Sequence, residues 1–491
     1  MRGLTSIPAA INLLALPLSG IAAHAAVTIS TAATQNMSCS GGVCSPTAAN
    51  AVLNVGDLTS MLASGSVTVN TGTGSLAAQV EDIIVAATFN WASANSLTLD
   101  AWRSVTFTAP VAVNGAAPVS LVTNDGGSGG NLFFVSGGSL SFLGTANRLS
   151  INAKTYKLEN SIASLAAAIA HKSAGYYALS ASYDASRDGT YKTSPIPTKF
   201  KGMFNGLGNA ISNLTIEGKS LEIGLFAYVH TNGAVNSVLV TDAKVTAEDS
   251  ALKESSIAGV LAAENYGTVF NAFASGQIEA TFGHSEMNAG GLIGSNHGSL
   301  LGSGAATTVS AVAAKTGFGI AAAGGLVGGS DGMIESSYAT GSVSVTGGGG
   351  NYPGGLVGYN DGPVENSYAE GATVAPNSSS GGGLVGATFL TVGSSYSTGG
   401  VTGGSGSLIG GFAGIDGSHG GLSSDCWDTT TSGITNLGQG AGSPANDPGI
   451  TGETTAQLQA VLPAGFDPTI WAESPSINNG LPYLINNPPP Q

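Results

Sequence analysis

The sequence predicts an all-β protein built as a right-handed parallel β-helix (a β-solenoid), and three observations predict it. The first is a phrase that recurs as Ile223-Gly224-Leu225-Phe226-Ala227, Ala258-Gly259-Val260-Leu261-Ala262, Gly290-Gly291-Leu292-Ile293-Gly294 and Gly324-Gly325-Leu326-Val327-Gly328. It continues as Gly354-Gly355-Leu356-Val357-Gly358, Gly382-Gly383-Leu384-Val385-Gly386 and Gly410-Gly411-Phe412-Ala413-Gly414. Successive starts lie 35, 32, 34, 30, 28 and 28 residues apart. Such a period marks a stack in which each repeat buries its apolar side against its neighbours. The second is composition: 75 of 491 residues are glycine, each costing a helix interior about 1 kcal/mol relative to alanine, and without the three-residue period of collagen. The third is that 42% of residues are hydrophobic and only 9% charged, which is too apolar for a disordered chain.

Residues 1–25 read as an export signal, with Arg2 at its positive end, a mostly apolar run from Ile7 to Ala23, and the small-x-small site Ala23-His24-Ala25. No other segment approaches a membrane span, so none is expected in the mature chain. Residues 26–153 form a first solenoid region of alternating strands around 66–70, 96–100, 104–108 and 149–152. Cys39 and Cys44 flank Ser-Gly-Gly-Val, a loop short enough to close a local disulfide after export. Cys426 is left over and is expected to be buried. Residues 154–203 are a transition holding one short helix, with Ser161 as its cap and Ile162, Leu165 and Ile169 on its apolar face.

The repeats fill 204–433 as about seven units of 28–35 residues, each with three strands, of which the glycine phrase, such as Gly324-Gly325-Leu326-Val327-Gly328, is expected to be one. Leu225, Val260, Leu292, Leu326, Leu356, Leu384 and Phe412 are the expected inner stack. Recurring corners such as Asn296-His297-Gly298, Asp331-Gly332 and Asn360-Asp361-Gly362 use residues that tolerate positive φ. A second column comprises Phe273, Tyr338, Tyr368, Tyr396 and Trp427. It either stacks between coils or, if the rings point outward, offers a face on which sugar rings stack. Residues 434–491 read as a C-terminal cap over the last coil's edge, with a short helix behind Thr454 or Thr455, and then a proline-rich tail.

No cofactor or metal signature appears. The net charge of −15 disfavours nucleic acid as a partner, and the histidines have no ligand spacing. The corner acids Asp331, Asp361 and Asp416 are expected to be turn residues rather than Ca²⁺ ligands. Glu335 and Glu365 hold equivalent places in adjacent repeats. They are expected to face solvent, although paired carboxylates also suit glycosidic proton transfer. No Lys or Arg lies between 324 and 433 to hold an anionic substrate.

The Gly-Gly-Leu-Val-Gly phrase followed by Glu335-Ser336-Ser337-Tyr338-Ala339 or Glu365-Asn366-Ser367-Tyr368-Ala369 resembles the GLUG motif of bacterial surface proteins. The endings Cys426 to Gly433 and Asn479-Gly480-Leu481-Pro482-Tyr483-Leu484 are similar to the ends of such arrays. The phrases Cys39 to Cys44, Asn90 to Leu99 and Phe204 to Asn209 resemble filamentous-haemagglutinin-like exoproteins. The resemblance implies a secreted or outer-surface β-helix tied to adhesion. The expected function is therefore a non-enzymatic adhesin or structural surface protein. Its expected partner is a host or neighbouring cell surface, matrix or glycan; a polysaccharide-active hydrolase or lyase is the alternative.

Overall fold

The computed structural model describes residues 25–72, 80–249, 256–282, 287–313, 321–348 and 350–490. The expected export signal falls on residues outside these, except for Ala25, which opens the strand Ala25–Ser30.

In the repeat region each turn contributes four strands where three were expected. In one turn these are Ala321–Gly324, Val327–Ser330, Met333–Glu335 and Tyr338–Ala339, the last resumed as Val343–Gly347. Each pairs in parallel with its counterpart one turn on, as in the column Val327, Val357, Val385 and Ala413. Four parallel sheets result. The Gly-Gly-Leu-Val-Gly phrase is thus the bend between the first and second strands and not itself a strand.

Sterics explain its glycines. A Cβ on Gly324 would lie 1.9 Å from the Val327 carbonyl oxygen, and one on Gly354 would lie 2.0 Å from that of Val357. The two strands fold so closely that backbone meets backbone. The central apolar residue then points inward: Leu225, Val260, Leu292, Leu326, Leu356, Leu384 and Phe412 are all fully buried in one core. The N–H groups of Leu326, Leu356 and Leu384 donate to the carbonyls of Leu356, Leu384 and Phe412 at 2.9, 2.8 and 2.8 Å.

The Asn/Asp-Gly corners work differently from the expectation. Their Asn and Asp residues do not take positive φ; the left-handed residues stand at the following corner, where Asn271, Ser336, Asn366 and Ser394 have φ of 50°, 51°, 50° and 49°. What the asparagines supply is a buried polar column. Asn265 Nδ2 donates to Asn296 Oδ1 at 2.8 Å, Asn296 Nδ2 to Ser330 Oγ at 3.2 Å, and Asn360 Nδ2 to Thr388 Oγ1 at 3.0 Å. A second column runs beside the left-handed corner. There the N–H of Ser303 donates to Ser337 Oγ (3.2 Å), that of Ser337 to Ser367 Oγ (3.2 Å), that of Ser367 to Ser395 Oγ (3.0 Å), and that of Ser395 to Asp425 Oδ1 (3.0 Å). Buried polar groups are costly when unpaired, and these columns pair them turn by turn.

The seven phrases occupy part of a longer stack of about twelve turns. One sheet of 16 strands runs through both halves of the molecule. Its strand direction reverses where Arg148–Ile151 pairs antiparallel with Lys154–Glu159, around the left-handed residues Asn152 and Ala153. The core changes face at the same place: Tyr156 and Ala178 pack into the first core, Tyr177 and Phe204 into the second. Reversing both direction and face is a half-turn about the stacking axis, so the two halves coil with one hand. The helix Ile162–His171 sits at this junction, with Ser161 Oγ accepting the Ser164 N–H at 3.1 Å and Ile162, Leu165 and Ile169 buried.

Gly354→Ala should therefore destabilise by about 1–3 kcal/mol, the cost of forcing a methyl into a packed site. Gly400→Ala, whose nearest atom would be 3.6 Å away, should be close to neutral. Leu356→Asp should cost at least ~3 kcal/mol, since it removes a buried leucine and strands a carboxyl in its place. Denaturant melts of the three variants check this ordering.

Candidate binding faces on the flank

Alternation in the fourth strand decides where the tyrosines go. Ala339 and Ala369 face the main core, so Tyr338 and Tyr368 face away from it, into a separate cluster. Tyr338 and Tyr368 stack at 5.2 Å and 14°, and Tyr368 and Tyr396 at 5.0 Å and 2°. Phe273 is one rung further off, at 6.5 Å from Tyr338, because Gly304 occupies the rung between them. Trp427 does not belong to this column: Cys426 takes the rung after Tyr396, and Trp427 turns inward, fully buried in the main core with Nε1 donating to the Ile434 carbonyl at 3.1 Å.

The outward tyrosines are not free, because the C-terminal segment lies over them. Instead of acting only at the end of the stack, this segment runs back along its flank as a strap. Trp471 packs on Tyr368 and Tyr396 at 6.0 and 5.8 Å, and its Nε1 donates to Asn366 Oδ1 at 3.2 Å. Tyr396 Oη donates to the Pro482 carbonyl at 2.7 Å, and Asn487 Nδ2 donates to the Ser303 and Ser336 carbonyls, each at 3.1 Å. The expected tail is thus docked through at least Asn487. The helix behind Thr454 is a single turn, Thr455–Leu458, and Val461 is exposed. Burial beneath the strap pushes the Tyr338, Tyr368 and Tyr396 hydroxyls up, and does the same to the Glu370 carboxyl beside them.

Glu335 and Glu365 pair in register on the outer side of the third sheet, half-buried. Burial raises both carboxyls, and Glu365 raises Glu335 further. Gly393 occupies the next rung, with the Glu365 carboxylate lying over it. Asp331 and Asp361 are exposed equivalents, each following the polar corner residue Ser330 or Asn360. Asp416 is not their equivalent: it sits one position earlier, on the Asn360–Thr388 rung, buried, with Oδ1 accepting from Ser418 N (2.8 Å) and Oγ (2.6 Å). No cluster of metal-ligating residues occurs among the described residues. Cys39 and Cys44 are bonded to each other across the hairpin Met37–Ser40 and Val43–Pro46. Cys426 is free and buried, which pushes its thiol up.

A different lane of side chains occupies the open flank. It lies at the position directly after the corner polar residue: Tyr266, His297, Asp331, Asp361 and Phe389 on successive turns. Tyr266 stacks on Tyr228 at 4.9 Å and on His297 at 4.3 Å, and His297 Nδ1 lies 2.7 Å from Asp331 Oδ1. Lys199 Nζ sits 4.4 Å over the Tyr228 ring. Phe389 packs on Tyr359 at 5.3 Å, and Tyr359 on Tyr352 at 5.6 Å. The corner phrases in the sequence already contain His297, Asp331 and Asp361; reading one position past Asn265, Asn296, Ser330, Asn360 and Thr388 joins them with Tyr266 and Phe389 into one lane.

Residues 349–375 match the family model of the GLUG motif. The chain carries a GLUG motif. The matched stretch takes in one turn of the stack, from Tyr352–Gly354 to Thr373–Ala375, so the motif is one coil with its glycine bend and its outward tyrosine. No curated protein matches the chain. Among solved structures it is similar to one described as a putative immunoglobulin A1 protease from Bacteroides ovatus, at 17% identity and a TM-score of 0.40, covering 63% of this chain and 85% of that one.

Trp471→Ala should loosen the strap by about 3–5 kcal/mol, the usual cost of emptying a buried tryptophan site. Limited proteolysis should then cut within 454–487 while the coils survive. The carboxyls give a pH signature. Folded-state values above the ordinary 4.5 mean that the folded chain holds these protons more tightly than the unfolded one. Their contribution to stability is present in full below that value and is lost as pH rises through the folded pKa. Replacing both glutamates by Gln should flatten the fall of melting temperature between pH 4.5 and neutrality relative to the native chain.

Proposed function

We propose that this chain is an exported, non-enzymatic β-solenoid that serves as an adhesin or structural component of an outer cell surface. It meets a host or neighbouring cell, matrix or glycan with its flank. The observation that carries this reading is the open lane from Tyr228 to Phe389, in which rings and polar groups are repeated turn after turn on a rigid stack. A repeating scaffold suits an extended contact surface. The GLUG motif supports it, in keeping with the surface proteins in which such motifs are found. Among the described residues no helix is long and apolar enough to cross a membrane.

The register pairing of Glu335 with Glu365, both with raised carboxyls, favours a second reading as a polysaccharide-active enzyme. One set of measurements separates the two. Tagged protein should appear in the medium or on the outer surface, and purified chain should bind whole cells while leaving polysaccharides intact. Retention in the cytoplasm or failure to bind any cell would remove the adhesin reading. Release of reducing ends or unsaturated products, lost in Glu365→Gln, would establish the enzyme.

A further inference from the structure

The first and second strands meet at the glycine bend, and their outer faces form a groove of about 460 Å³. The rings of Tyr352, Tyr359 and Phe389 line it together with Asp331, Asp361 and Asn288. The groove has depth because its floor carries little bulk: Ala322 and Gly329 line it. A Cβ at Gly329 would come within 3.0 Å of Asn288 Nδ2. Phe389 is 41% exposed and its neighbour Leu390 43%, apolar surface that the strap, which covers the tyrosine column, leaves open.

We propose that this groove binds a neutral hexopyranose chain. The inference rests on the surface-binding reading above and names its ligand class. A pyranose ring has an apolar C–H face and a rim of hydroxyl donors. The three rings match the face, and the two carboxylates, which accept when ionised, match the rim. Charge narrows the choice. The stretch 324–433, which supplies most of the lining, has no Lys or Arg, and the chain carries a net −15. His297, the basic side chain in the lining, already lies with Nδ1 2.7 Å from Asp331 Oδ1, so uronate or sulfated chains would meet carboxylates with no Lys or Arg from that stretch to hold them. The neighbouring tyrosine column cannot serve the same ligand, because Trp471 and Pro482 already cover it. Sugar rings would therefore lie across Tyr359 and Phe389, with their hydroxyls donating to Asp361 and to the Asp331 oxygen that does not face His297.

Calorimetric titration of the purified full chain with cellohexaose and laminarihexaose, and with polygalacturonate as the anionic comparison, tests this. Binding of a neutral oligosaccharide is expected, weakened about tenfold by Tyr359→Ala or by Phe389→Ala, and retained in Tyr359→Phe. Unchanged circular dichroism in the variants secures the fold. The assignment is overturned by no binding of either neutral oligosaccharide, by equal binding in the Tyr359→Ala/Phe389→Ala double variant, or by polygalacturonate binding as tightly. If whole cells are bound while these sugars are not, the groove loses its ligand but the surface role stands. If sugars bind and cells do not, the groove stands and the adhesin reading falls.

Discussion

Close approach of backbone to backbone at the Gly-Gly-Leu-Val-Gly bend is the constraint on which the rest of the molecule depends. With carbonyl oxygens only 1.9–2.1 Å from where a Cβ would stand on Gly324, Gly354 and Gly382, no side chain fits there. The chain consequently turns within two residues. That sharp turn aims the intervening leucine at the axis, brings its N–H onto the next leucine's carbonyl, and sets the first and second strands at the angle that leaves a groove outside. The same demand recurs at the other corners, where a Cβ on Gly362 would lie 2.1 Å from the Gly332 carbonyl oxygen and one on Gly371 1.9 Å from that of Gly341.

Polar side chains complete what the bend begins. The asparagine column and the serine column each satisfy backbone and side-chain groups that a stack of short strands would leave unpaired at its corners. They run along the axis, so every turn depends on its neighbour for hydrogen bonds as well as for apolar cover. The serine column ends at Asp425. Its carboxylate accepts from Ser395 N at 3.0 Å and Ser423 N at 3.2 Å, yet burial still raises its pKa well above the ordinary value.

The two flanks of the stack have opposite fates for one physical reason, the reach of the C-terminal segment. Three stacked tyrosines facing outward form an apolar strip, and the strap with Trp471, Phe466 and Leu484 removes it from water. The lane after the corner asparagines has no such cover. Asp331 and Asp361 separate its two ring groups, Tyr228 with Tyr266 and His297, and Phe389 with Tyr359 and Tyr352, which keeps each apolar patch small and leaves a surface suited to a partly polar ligand.

By itself the sequence determined the class of fold, the period, the inner aliphatic stack, the Cys39–Cys44 disulfide and the helix behind Ser161, because each follows from contacts between residues close in sequence or one period apart. It left the helix Val55–Ser64 unnoticed, although Asn54 caps it and Leu58 and Leu62 are buried beneath it. The reading there followed strand alternation and did not test the helical spacing. Whether the phrase was a strand or a bend, which corner turned left-handed, and the inward turn of Trp427 lay beyond it. These outcomes depend on backbone distances between coils, which pattern alone does not encode. The fate of the tyrosine face was decided only by tertiary structure: Trp471 lies 105 residues from its partner Asn366, and no local period links the two. The same holds for the groove, whose walls come from strands on successive turns and exist as one surface only after the coils have stacked.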